Sequence, residues 1–240
     1  MDIINLNSNS LFFCVFLGLA PVIFWLWFWL REDSGHPEPK SVLLLTFLAG
    51  MGAVLIALPL EYGFLYLEKK LGVDSTAYGF IALIFVWSFI EEVLKYLAAQ
   101  ETSLKTRFFD EPIDAVVYLI TAALGFAALE NVLFLMKVVN VDGLVSGFIT
   151  GNLRFVGATL LHVATSAIVG SSIAFSFYPP RRRLPNIIGS IGLATILHFT
   201  FNYFIIKAEG IDILKLFIPL WVLIIIIIFV FEKVKKIKSN

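Results

Sequence analysis

Glu91, Glu92 and Lys95 lie within FIEEVLKYLA, Glu130 and Asn131 within LGFAALENVLF, His162 within LLHVATSAIVG, and His198 and Asn202 within LHFTFNY. Carboxylates, imidazoles and an amide are the parts needed for hydrolysis. A carboxylate stripped of solvent can take a proton from water, while imidazole and amide donors stabilise an oxyanion. Two histidines and a carboxylate, here Glu91, His162 and His198, could instead hold a zinc ion with one coordination position left for water. The residues alone do not separate these chemistries. Neither HExxH nor another zinc-protease motif is present, which argues against the familiar metalloprotease layout.

Spacing refines the list. On a helix, Lys95 can be reached by Glu91 four residues before it or by Glu92 three before it. The two carboxylates point about 100° apart, so different roles are expected of them. Together they exceed what one lysine neutralises, so a proton or a second cation must complete the balance. His198 and Asn202 stand one turn apart on one face, as do Phe126 and Glu130. Each of these groups also has a plain reading, as a neutralised charge cluster or an interhelical hydrogen bond. Thr165 and Ser166, beside His162, could simply bond backbone. Glu130 has no cation near it in sequence, so its partner must come from another helix.

The elements that must position these groups follow from composition. The chain has 240 residues, 59% hydrophobic and 15% charged, with mean hydropathy +0.91. Soluble domains carry about 25% charged residues, so this is an integral membrane protein within a lipid bilayer. Eighteen basic against eighteen acidic residues leave no basic field for nucleic acid. The single cysteine, Cys14, excludes an internal disulfide and a cysteine-based zinc site.

Apolar runs predict an all-α, polytopic membrane helix bundle of about seven transmembrane helices, forming a single integral membrane domain over residues 1–240. The expected spans are about 11–30, 41–67, 77–99, 113–139, 144–178, 186–206 and 211–231. The first ten residues lack Lys and Arg, so the first run reads as a retained span rather than a signal peptide. The fifth is too long for one crossing, and its start, around Arg154, is expected to be tilted, interfacial or re-entrant. Placing the basic tail in the cytoplasm puts eleven loop and tail cations inside against five outside, the positive-inside orientation. At about 1.5 Å per residue, Glu91, Glu130, His162, His198 and Asn202 then share a layer in the central to outer membrane. Lys95 and Asp114 fall deeper.

The ordered set FIEEVLKYLA, DAVVYLITAALGFAALENVLF, LLHVATSAIVG and LHFTFNY, spanning about residues 85–205, resembles the PrsW family of intramembrane proteases. That family is similar to the CAAX prenyl endopeptidases and bacteriocin-immunity proteases. The resemblance implies a protease core over about residues 77–207 and an endopeptidase that cuts a membrane-anchored, anti-sigma-factor-like protein near the extracytoplasmic side. Glu91 and Glu92 match the family's glutamate pair, Lys95 the basic residue of that motif, and Glu130 the polar residue of the second motif. His162 and His198 match the later histidines, and His198 with Asn202 the HxxxN pair that resembles an oxyanion-binding element. Lys95 stands one position early relative to EExxxR, and Glu130 replaces the His of FxxxH; both place the chain on the PrsW side rather than the prenyl-substrate side.

The expectation is therefore an intramembrane hydrolase in which Glu91 activates water, Glu92 shares or positions its proton and Lys95 balances the pair. His198 and Asn202 would stabilise the oxyanion, and His162 and Glu130 would orient water. No cofactor is favoured; zinc on Glu91, His162 and His198 is the alternative. A bacterial inner membrane with a cytoplasmic C-terminus is the expected location. Two other classes compete: a proton- or ion-coupled transporter using the Glu/Lys/His cluster, and a non-catalytic scaffold that binds transmembrane helices, through a distant similarity to the scaffold subunit of gamma-secretase. The lack of an internal repeat or paired broken helices weakens the transporter reading.

Overall fold

The structure, a computed structural model, describes residues 6–32, 37–178, 180–208 and 212–237. Without water to satisfy backbone N–H and C=O groups, each apolar run closes its own hydrogen bonds as a helix. The helices are α1 (Ser8–Glu32), α2 (Lys40–Leu71), α3 (Ala77–Ala99), α4 (Asp114–Val156), α5 (Ala158–Phe175), α6 (Arg183–Lys207) and α7 (Asp212–Val234). No strand occurs among the described residues. Thr76 starts α3 by accepting a hydrogen bond from the Gly79 amide at 2.9 Å, the usual device for an orphan donor in a first helical turn.

Six stretches of the described residues are long and apolar enough to cross a membrane, and one of them is the 62-residue stretch Asp114–Phe175. At about 1.5 Å per residue it would run about three times the hydrocarbon thickness of about 30 Å. Gly143 resolves this. Its φ of 81° and ψ of 178° break α4 in a conformation only glycine adopts readily, and the limb 144–156 runs back along the limb 114–142. A Cβ on Gly147 would lie 2.4 Å from Val139 Cγ2, and one on Gly151 would lie 3.7 Å from Leu135 Cδ2, as an antiparallel pair requires. After a second break at Gly157 (φ −120°, ψ −84°), α5 completes the descent. The stretch thus holds two passes, compatible with about seven crossings. The over-long segment expected at 144–178 is this limb plus α5, helical on both sides of a kink at Gly157.

Every residue from Asp114 to Ala128 is buried, so this half of α4 meets protein on all sides, as a helix apolar all round should. α1, α2, α3 and α5 all pack on α4. Two glycines set the closest approach. A Cβ on Gly50 of α2 would stand 2.0 Å from the Ala122 carbonyl oxygen, and one on Gly125 of α4 would stand 2.0 Å from that of Phe47. Backbones in direct contact are how membrane helices associate where hydrophobic burial no longer drives them together. On the flank, α1 and α7 share an aromatic layer, with Trp25 against Trp221 and Trp29 against Phe231 at centroid distances of 6.1 and 5.8 Å.

At the end of α4 where Asp114 lies, one carboxylate oxygen accepts from the amides of Asp110 and Glu111 at 3.0 and 2.7 Å. The Tyr118 hydroxyl donates to the Glu38 carboxylate. Asp114 therefore serves the loop before its own helix.

Gly125→Val should cost the upper end of the about 1–3 kcal/mol typical of overpacking and lower the thermal unfolding midpoint in detergent. Gly52→Ala, where a Cβ meets nothing within 4 Å, should leave that midpoint unchanged.

Candidate active site

Four helices converge on one buried polar cluster. From α3, Lys95 has no exposed surface and Glu92 almost none; their Nζ and Oε1 atoms are 2.6 Å apart. Of the two pairings that spacing leaves open, the three-residue one is formed. The same Glu92 Oε1 lies 2.7 Å from Nδ1 of His198 on α6. Lys95 Nζ also reaches α5, with 3.1 Å to His162 Nδ1 and 3.4 Å to Thr165 Oγ1. Thr165 in turn donates to the backbone carbonyls of Leu161 and His162, the plain role that spacing allowed it.

Glu130 of α4 finds its partners on other segments, as its isolation in sequence requires. Its Oε2 is 2.8 Å from His162 Nε2 and 2.9 Å from an Arg154 guanidinium nitrogen on the returning limb. The imidazole rings of His162 and His198 meet edge to face at 5.1 Å.

Glu91 is left over. Among the described residues no lysine or arginine pairs with it; its Oε2 faces His198 Nε2 at 3.7 Å and His162 Nδ1 at 4.0 Å. That oxygen is buried without a hydrogen-bond partner, and so is Glu92 Oε2. Buried acceptors in proteins are nearly always satisfied, so an orphan between two imidazoles marks room for a proton, a water or a cation.

Glu91, His162 and His198 each offer one ligand atom, all within 4.8 Å of one another. Metal-binding histidines usually give their other ring nitrogen to a carboxylate, which fixes tautomer and orientation. Here Glu92 holds Nδ1 of His198 and Glu130 holds Nε2 of His162, leaving the opposite nitrogens toward Glu91. The donor set thus fits a divalent transition metal; holding one would require Lys95 to release His162 Nδ1 while keeping Glu92.

Of the residues expected at the site, Glu91, Glu92, Lys95, Glu130, His162 and His198 are brought together. Asn202 lies one turn beyond His198, half-buried and without a hydrogen bond among the described residues. Sequence reasoning passes over Glu61 of α2, whose carboxylate interacts electrostatically with both Glu91 and Glu130. The neighbouring α3 holds that turn, because Trp87 Nε1 donates to the Glu61 carbonyl at 3.2 Å. An acid inside the apolar run IALPLEYGFLYL was the available signal.

A bundle of helices apolar enough to span a membrane, with a buried carboxylate–imidazole site, has the parts of an intramembrane hydrolase. A family model described as PrsW family intramembrane metalloprotease matches residues 38–231. The chain belongs to the PrsW family, and it is a peptidase. It is similar to the protein named Protease PrsW in Bacillus subtilis, 27% identical over 199 residues, 80% of this chain and 83% of that protein. It is also similar to Protease PrsW of Geobacillus kaustophilus, 25% identical over 200 residues, 83% and 82% of the two chains. Protease PrsW of Clostridioides difficile is 32% identical over 127 residues, half of each chain. No solved structure matches.

Removing one partner of a buried ion pair costs about 3–5 kcal/mol, whereas removing both is far milder. Lys95→Met should therefore unfold in denaturant with a loss of that order, and Glu92→Gln/Lys95→Met should recover most of it.

Proposed function

We propose that the chain cuts a peptide bond in a membrane-anchored protein substrate of the anti-sigma-factor type, near the extracytoplasmic side of a bacterial inner membrane, with its C-terminus in the cytoplasm. The observation that carries the reading is the convergence of Glu91 Oε2, His162 Nδ1 and His198 Nε2, with each far ring nitrogen already held by a carboxylate.

In the glutamate-only form Glu91 takes a proton from the attacking water and returns it to the leaving amine, because among the described residues it is the one carboxylate of the three whose oxygen faces both imidazoles without a basic partner; in the metal-dependent form it would be a ligand instead. Glu92 and Glu130 fix the rings, and Lys95 balances Glu92. Asn202, one turn from His198, would hold the scissile carbonyl oxygen. Glu91, His162 and His198 would hold a zinc ion, which supplies Lewis acidity and an easily deprotonated water. The donor geometry and the family description both support this metal-dependent form over catalysis by glutamate alone.

The sidedness rests on the excess of basic residues in the loops and tail assigned to the cytoplasm and on the depth of the cluster in its helices.

Purified wild type and Glu91→Gln should be compared on tagged single-span substrates, with product masses measured. Glu91→Gln is expected to lose more than about 100-fold in kcat/KM, and equal cleavage by both would remove Glu91 from its role. A strong chelator should abolish cleavage and Zn2+ restore it. Activity indifferent to chelation, with no stoichiometric metal by elemental analysis, would leave the glutamate-only form. A product cut at the cytoplasmic end of the substrate span would overturn the proposed sidedness.

A further inference from the structure

We infer that Arg154 is a positioning residue for hydrolysis: through Glu130 it fixes the ring of His162. This rests on the peptidase reading above.

The limb that carries Arg154, residues 144–156, lies between the breaks at Gly143 and Gly157 and presents Val145, Phe148 and Ile149 outward, all exposed. On so apolar a segment a guanidinium is costly unless it has a partner. Arg154 turns inward, its side chain 12% exposed, and meets three positions on the facing limb of α4. One guanidinium nitrogen is 2.9 Å from Glu130 Oε2. Nε donates to Asn131 Oδ1 at 2.5 Å. The guanidinium carbon sits 4.6 Å from the centroid of the Phe134 ring.

The amide of Asn131 is itself held, since its Nδ2 donates to Thr159 Oγ1 in the first turn of α5 at 3.0 Å. The guanidinium is thereby oriented by one hydrogen bond, from Nε to Asn131 and through it to α5, while its Nη2 meets Glu130 as an ion pair and makes no hydrogen bond of its own. A lysine ammonium lacks the second nitrogen needed to make both contacts in fixed directions.

Glu130 needs this support. Its side chain is 31% exposed, so space is open for the carboxylate to swing away from the bundle. The oxygen that Arg154 holds is also the one that meets His162 Nε2. An imidazole that donates from Nε2 presents Nδ1 as an acceptor, and this Nδ1 faces Glu91. Among the described residues Arg154 forms no hydrogen bond or ion pair with Glu91 or either imidazole, so it acts through Glu130.

The test uses full-length protein in detergent or liposomes, with thermal midpoints confirming the folded state and two readouts: steady-state cleavage of a single-span substrate, and the Zn2+ dissociation constant of metal-stripped protein. Outer partners of metal ligands are typically worth about 10–100-fold in affinity or activity. Arg154→Gln should lose that much in kcat and in Zn2+ affinity, with KM within about twofold of wild type. Arg154→Lys should fall between. Glu130→Gln/Arg154→Gln should be no worse than Glu130→Gln within about twofold, because the two residues act as one unit. Lys137→Gln, an exposed cation on the same helix hairpin, should match wild type.

A folded Arg154→Gln with wild-type kcat and Zn2+ affinity overturns the inference, as do Glu130 and Arg154 effects that multiply. If Arg154→Gln does not fold, Asn131→Ala, which removes the second anchor of the guanidinium, decides on the same readouts. A wild type that cleaves while Arg154→Gln is unaffected leaves the peptidase reading standing; one that neither binds Zn2+ nor cleaves overturns both.

Discussion

Lys95 has no exposed surface, and an ammonium in a low-dielectric interior is costed in several kcal/mol unless charge and hydrogen bonds surround it. Its position therefore dictates its neighbours. Glu92 supplies the countercharge from the same helix, and His162 and Thr165 supply acceptors from α5. Because the Glu92 oxygen that meets Lys95 also meets His198, one charged pair ties α3 to α5 and to α6. The two histidines are placed by the same requirement that makes the lysine tolerable.

Glutamate and histidine side chains are short, so they bridge helices only where backbones come close. The small residues of α4 provide this. Ala122, Ala123, Gly125, Ala127 and Ala128 are buried, and Gly125 lets α2 lie against the backbone. On that helix, Phe126 packs against the His162 ring at 5.5 Å, and Glu130 stands one turn further on. The folded-back limb then delivers Arg154 to the level of Glu130. Packing by small residues and the turn at Gly143 are what convert four separate apolar segments into one polar site.

Much of this was legible in the sequence, because ionisable groups stand out in apolar runs. Glu91, Glu92, Lys95, Glu130, His162 and His198 could be listed, and the hydropathy pattern set the helical passes. Which glutamate takes Lys95 was not legible: three- and four-residue spacings are equally good on an isolated helix, and the choice fits the approach of His198 from α6. That Glu130 needs a partner from another segment could be read; that Arg154 is the partner depends on the backbone at a single glycine. Asn202 shares a face with His198 by spacing, yet no spacing rule says whether an amide ends with a partner. Glu61 was passed over because its span reads as packing alone.

The charges in the cluster do not cancel. Lys95 serves Glu92 and Arg154 serves Glu130, while Glu91 faces only imidazoles among the described residues, and Glu61 adds a further carboxylate nearby. A cluster whose task was to hold helices together would be expected to satisfy its acceptors, since an unpartnered buried polar group costs about 1–3 kcal/mol. Here two glutamate oxygens are left orphaned, Glu92 Oε2 and the Glu91 Oε2 that lies between both histidines. Three carboxylates then share two cations, so this point takes up a proton, a cation or a donor such as water. A hydrolytic site needs that bias, because the water must arrive as a donor and leave its proton behind.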